Sequence, residues 1–107
     1  MLDCRCRKKA SFRWQRTIRL GIGEETTDLD VATFADSRKR IKIEFPTQVG
    51  GAEGGLEVNW KNANGSLQTD YLRPGSHLYR APQGSTYFVI SNAPGVASRF
   101  CELYKAV

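Results

Sequence analysis

Phe12-Arg13-Trp14-Gln15-Arg16-Thr17-Ile18-Arg19-Leu20-Gly21-Ile22 carries an apolar side chain at every second position, with Arg16 as the one exception. Successive side chains of a strand point to opposite faces, so this spacing gives one apolar face and one polar, basic face. Wound as a helix, the same residues would scatter around the cylinder, and their β-branched and aromatic content also disfavours helix. The alternation recurs along the chain and predicts an all-β domain that covers one side of each strand.

The following segments extend that reading. Residues 29–34 read as a strand with Leu29, Val31 and Thr33 on one face, and Arg40–Phe45 as another with Ile41, Ile43 and Phe45 facing one way. Asn64-Gly65, between apolar-alternating runs at 56–60 and 67–72, predicts a hairpin with a type I′ turn. That closure pairs Ala63 with Ser66, Trp60 with Thr69 and Val58 with Tyr71. Arg73-Pro74-Gly75-Ser76 and Pro82-Gln83-Gly84-Ser85 read as turns around a short strand at 77–80. A nearly continuous apolar strand at 86–91 and a last strand at 97–105 complete the chain. Turns recurring between short strands predict an antiparallel β-sandwich of about seven or eight strands, with immunoglobulin-like and jelly-roll connections both open. Trp14, Ile18, Ile41, Ile43, Val58, Trp60, Phe88 and Ile90 form its expected core. From Leu67 onward the spacing of turns resembles that of many small β-sandwich modules in surface, virion and accessory binding proteins.

A chain of 107 residues makes one domain, with enough interior to need no metal or disulfide staple. It divides into a basic, flexible N-terminal arm at 1–10 and a single sandwich domain at 11–107. The net charge of +5 is unevenly spread. Residues 1–19 hold Arg5, Arg7, Lys8, Lys9, Arg13, Arg16 and Arg19 against Asp3 alone, a local charge of +6. In the body, an acidic stretch (Glu24, Glu25, Asp28, Asp30) precedes a basic one (Arg38, Lys39, Arg40, Lys42), and neighbouring strands could set the two opposite each other. No apolar run is long enough to span a bilayer, and none follows the basic N-terminus to form a secretory signal. Three cysteines leave at least one thiol unpaired, which favours a reducing compartment. The expected location is the cytoplasm, with a mature fragment of an exported or virion protein as the other placement.

The residues that could carry chemistry are isolated. Cys4-x-Cys6 has closer spacing than structural zinc sites use, and only His77 and Cys101 could complement it. His77, the one histidine, has no nucleophile motif to serve. The four acids at 24–30 match neither a calcium loop nor a buried catalytic pair, and the glycines at 50–55 lack the lysine of a phosphate loop. No catalytic residue, metal or cofactor is expected.

The expected function is therefore a non-enzymatic structural or interaction module, such as an assembly component of a phage-type particle or surface structure. Its partner would be another protein or a second copy, not a membrane. The alternative is a nucleic-acid binder that uses Arg5, Arg7, Lys8, Lys9, Arg13, Arg19, Arg38 and Arg40 as its electrostatic footprint. That alternative requires these arginines on one face with exposed aromatics nearby, whereas Phe12 and Trp14 share the phase of Ile18 and read as core.

Overall fold

Alternating inward apolar and outward polar side chains produce eight strands. They are β1 (Phe12–Leu20), β2 (Leu29–Asp30), β3 (Arg40–Phe45), β4 (Leu56–Asn62), β5 (Gly65–Leu72), β6 (Gly75–Arg80), β7 (Tyr87–Ser91) and β8 (Arg99–Ala106). A one-turn helix, α1 (Val31–Phe34), lies between β2 and β3. The computed structural model describes residues 11–46, 55–92 and 97–106. The arm with Arg5, Arg7, Lys8, Lys9, Cys4 and Cys6, and the glycines before Gly55, lie outside the described residues.

The strands form two four-stranded sheets, ordered β1-β8-β3-β6 and β2-β7-β4-β5. Their pairing is nested and antiparallel: β1 with β8, β2 with β7, β3 with β6, and β4 with β5. The first four strands thus run back alongside the last four as one ribbon whose tip is the β4–β5 hairpin. Wrapping that ribbon across two sheets is the jelly-roll arrangement. An immunoglobulin-like fold would set its first two strands side by side in one sheet. Here β1 and β2 belong to different sheets.

Between the sheets lie Ile18 and Leu20 of β1, Ile41, Ile43 and Phe45 of β3, and Cys101 and Leu103 of β8. Leu56, Val58 and Trp60 of β4, Leu72 of β5, and Phe88 and Ile90 of β7 face them, all fully buried. Trp60 is the centre of this layer, with ring centroids of Phe88 and Tyr79 at 5.1 and 6.1 Å.

Three local expectations are corrected. Trp14 is not core: it is 55% exposed. The pairing of β1 with β8 shifts between Trp14 and Arg16, so Gln15 is an extra residue and the faces exchange there. Trp14 opposes the outward Tyr104, whereas Ile18 opposes the inward Cys101. Arg16, the exception in the alternation, stands at the break.

The hairpin register is also shifted. Ala63 and Asn64 form the turn, Asn62 faces Gly65, and Leu67 is an extra residue, so Trp60 faces Gln68 and Val58 faces Asp70. Gly65 does hold positive φ, at 124°. Neither Ala63 nor Asn64 does, which rules out the type I′ turn. The one-residue slip exchanges the faces of β5. Leu72 is thereby buried opposite Leu56, Tyr71 is turned outward, and the inward Asp70 carboxylate accepts the Trp60 indole N–H at 2.7 Å.

The strand expected over 29–34 is only Leu29–Asp30, followed by α1. Val31 and Phe34, three apart, share a helical face. Phe34 meets Phe88 edge-on at 6.1 Å, and Thr33 is exposed.

Candidate functional site

Strand register brings basic side chains to one end of the first sheet. Arg13, near the start of β1, pairs with Lys105 near the end of β8. Arg40, at the start of β3, pairs with Arg80, at the end of β6. Arg38 and Lys39 occupy the turn that leads into β3 at this same end. Arg19 is not among them. It lies toward the far end of β1, opposite Phe100, with its guanidinium 5.5 Å from that ring's centroid. Of the four described residues proposed from sequence as a footprint, Arg13, Arg38 and Arg40 lie at one end of the sheet, with Arg13 in register with the inward Ile41 and thus on the face opposite Arg40, and Arg19 lies at the other end.

Asp36 organises the turn. Its Oδ1 accepts the backbone N–H groups of Arg38 at 3.0 Å and Arg40 at 2.8 Å. Its Oδ2 accepts from Nε and a terminal guanidinium nitrogen of Arg40 at 2.9 and 2.7 Å. Burial raises the Asp36 pKa, but these bonds and the Arg40 charge outweigh it and hold the carboxyl below its ordinary value. The ion pairs among the described residues are Arg40–Asp36 and Lys42–Glu44. The acidic stretch at 24–30 does not face the basic one: Glu24 accepts the Gly21 N–H, and Asp30 accepts the Thr33 hydroxyl. Arg38, Lys39 and Arg80 have no carboxylate partner among the described residues, and with Ala81–Thr86 they line an open pocket of about 490 Å³.

A depressed folded-state pKa contributes stability above the ordinary carboxylate range, and that contribution is lost as pH falls through the depressed value. Asp36→Asn removes it at neutral pH. We expect the variant to lose about 1–3 kcal/mol at pH 7. Its thermal midpoint should also fall less steeply than that of the unsubstituted protein below about pH 4. Equal slopes in acid would show that Asp36 is not the linked group.

The outer face of the same sheet carries a row of side chains across all four strands. Trp14 pairs with Tyr104, Tyr104 with Lys42, and Lys42 with Leu78. Trp14 and Leu78 are 55% and 56% exposed. Lys42 Nζ lies 4.8 Å from the Phe12 ring centroid and 5.2 Å from that of Tyr104. The Trp14 indole N–H donates to Glu102 Oε1 at 2.8 Å, and the Thr17 hydroxyl donates to the same oxygen at 2.5 Å. The Thr17 and Trp14 bonds hold Glu102 below its ordinary pKa against the opposing effect of burial. An exposed tryptophan therefore does stand on the basic face, contrary to the reading that placed it in the core.

The second candidate surface is a strand edge. Among the described residues, four strands have a side with no neighbouring strand: β1, β2, β5 and β6. A free edge offers unpaired backbone groups unless charge, proline, bulges or brevity blunt it. β1 has its bulge and the exposed Arg13, Arg16 and Arg19. β2 is two residues long, and β6 is bounded by Pro74 and Arg80. β5 runs eight residues without Lys, Arg or Pro. Its one charge, Asp70, turns inward to Trp60 and Gln68, while Leu67 and Tyr71 are each 45% exposed.

The remaining reactive groups are occupied structurally. His77 Nε2 lies 2.7 Å from the Arg73 carbonyl oxygen, and its ring stacks on Tyr79. Burial, with Glu102 nearby, pushes the Cys101 thiol up to about 12, far from the reactive thiolate. Among the described residues no three His, Cys, Asp or Glu side chains are grouped to hold a metal ion, and no helix is long and apolar enough to cross a membrane. Comparison with protein-family models, curated proteins and solved structures yields no match.

Proposed function

We propose that this domain is a non-enzymatic structural and interaction module, an assembly component that joins copies of itself through β5. Support comes from the chemistry of Leu67-Gln68-Thr69-Asp70-Tyr71 on a free edge. Read antiparallel about Thr69, this segment is self-complementary. Leu67 meets Tyr71 of a second copy, Gln68 meets its Asp70, and Thr69 meets its own equivalent. Apolar–aromatic, amide–carboxylate and Thr–Thr pairs are each favourable across antiparallel strands. The two-fold symmetry of such a contact closes on itself and extends β2-β7-β4-β5 into an eight-stranded sheet. Jelly rolls also build particle shells, an analogy at the level of fold that agrees with this reading but does not carry it.

Amide hydrogen exchange tests the contact. Raising the protein concentration should slow exchange along β5 while leaving β6, the edge strand of the other sheet, unchanged. Equal rates on β5 at all concentrations would remove the support for self-pairing.

A second reading, single-stranded nucleic-acid binding, is favoured by one observation: the exposed Trp14 stands beside Lys42 and Tyr104 at the basic end. Aromatic rings interleaved with cations on a sheet face suit stacked bases and a phosphate backbone. The two surfaces are separate, so one copy could use both.

A further inference from the structure

We propose that the pocket between the 38–39 turn and the 81–86 loop is a phosphate seat, filled by a phosphodiester of a single nucleic-acid strand. This rests on the nucleic-acid reading of the basic end and specifies where its backbone is anchored.

Three observations converge there. The pocket is concave, about 490 Å³, and three of its lining side chains are cationic: Arg38, Lys39 and Arg80. The nearby Arg40 is held by Asp36, so the ion pair fixes the turn and leaves its neighbours' charges to the pocket. Guanidinium groups present a donor fork that matches phosphate oxygens, and lysine adds a point charge.

Lys39 is also the one non-glycine residue with positive φ among the described residues, at 66°. A side chain there carries a steric cost that glycine avoids. Placing a lysine where glycine would be easier, with its side chain lining a basic pocket, matches the retention of strain at binding sites. The opposite wall is a turn suited to close approach: Gly84 has φ 89°, and Ser85 closes the turn by donating its N–H to the Pro82 carbonyl at 3.0 Å.

The choice of a nucleic-acid strand over an acidic peptide follows from position. Arg80 and Leu78 share the outer face of β6, and Leu78 ends the row that begins at Trp14. Three strand spacings, about 14 Å, separate β1 from β6. A strand seated at Arg80 can therefore lay its bases over Lys42, Tyr104 and Trp14. The carboxylate side chains of an acidic peptide have no π-face to stack on those rings, whereas every base does.

The test is fluorescence anisotropy of a labelled oligothymidylate titrated with the full chain, repeated over a salt series. Arg38→Gln/Arg80→Gln removes two charges whose side chains make no hydrogen bond or ion pair among the described residues. It should weaken binding about tenfold and reduce the salt slope by about 1.4, the value for two phosphate contacts on a single strand. Lys39→Gly relieves the backbone strain, so it should fold at least as well while binding more weakly. Arg73→Gln, which removes a charge away from the pocket, should change neither quantity by as much. Inorganic phosphate, followed by the amide resonances of Gly84 and Ser85, should shift them in the unsubstituted protein and not in the double variant. Oligothymidylate binding that is equally strong in the double variant overturns the seat and leaves the nucleic-acid reading to the arm. A phosphate response without oligonucleotide binding overturns the nucleic-acid reading while the seat stands. Absence of both responses overturns both.

Discussion

Trp60→Ala should destabilise the domain by about 3–5 kcal/mol, a large part of the stability of a small domain. The ring is fully buried midway between the sheets, against Phe88 and Tyr79. Truncation leaves a cavity that two hydrogen-bonded sheets cannot collapse to fill, so the loss exceeds simple transfer to water. A second contribution comes from Asp70. Its carboxylate faces inward on β5 and accepts the indole N–H at 2.7 Å, a bond that alanine cannot make. Trp60→Phe separates the two effects, because it keeps most of the apolar volume and loses the donor. It should cost about 1–3 kcal/mol. Urea midpoints at unchanged slope are the measure. A loss below about 1 kcal/mol for Trp60→Ala would place the core centre elsewhere.

Gly55→Ala should destabilise by at least about 3 kcal/mol, at the upper end for overpacking. Gly55 is buried at the entry to β4, and a Cβ built on it would lie 2.1 Å from the Leu72 carbonyl oxygen and 3.2 Å from its carbon. The obstacle is backbone, not the movable tip of a side chain. Relief therefore requires separating β4 from β5 where Leu56 faces Leu72. Gly65→Ala is the comparison: a Cβ there meets nothing within 4 Å, so only its φ of 124° is at issue. A Gly55→Ala variant as stable as the Gly65→Ala variant would show that the β4–β5 approach is looser than described.

The glycine result shows where local reading of this chain stops. Gly55 closes the glycine-rich stretch at 50–55, yet its need for glycine comes from Leu72, seventeen residues on in sequence. β3 follows its period-2 pattern because it is a central strand with regular pairing on both sides. β1 and β5 are edge strands, each with an inserted residue, and alternation alone does not reveal where a face exchanges. Arg16 marked the break in β1, but as an exception rather than as a bulge. In β5, burial of Leu72 and the Trp60–Asp70 bond override the turn preference of Asn64-Gly65, and no signal within the hairpin shows that outcome. The spacing of Val31 and Phe34 is a usable sign of α1, which the strand-like alternation of Leu29, Val31 and Thr33 obscures.

The candidate surfaces follow the same division. Arg13, Arg38 and Arg40 are visible as charges, but Arg80 and Lys105 join them only through the register of β6 and β8. Trp14 reaches the basic face because of the bulge. The free edge of β5 exists because the nested pairing places the ribbon's tip at the border of a sheet, a property of topology and not of any segment.

Light scattering on the eluted peak across a concentration series, for the full chain and for Leu67→Lys/Thr69→Lys, decides whether β5 joins copies. Both substitutions put charge on the exposed side of a free edge, which should repel a second copy without touching the core. The unsubstituted chain should rise from the monomer mass toward twice that mass as concentration increases, and the double-lysine variant should remain monomeric. A full chain that stays monomeric throughout, or a variant that associates equally well, would contradict association through β5.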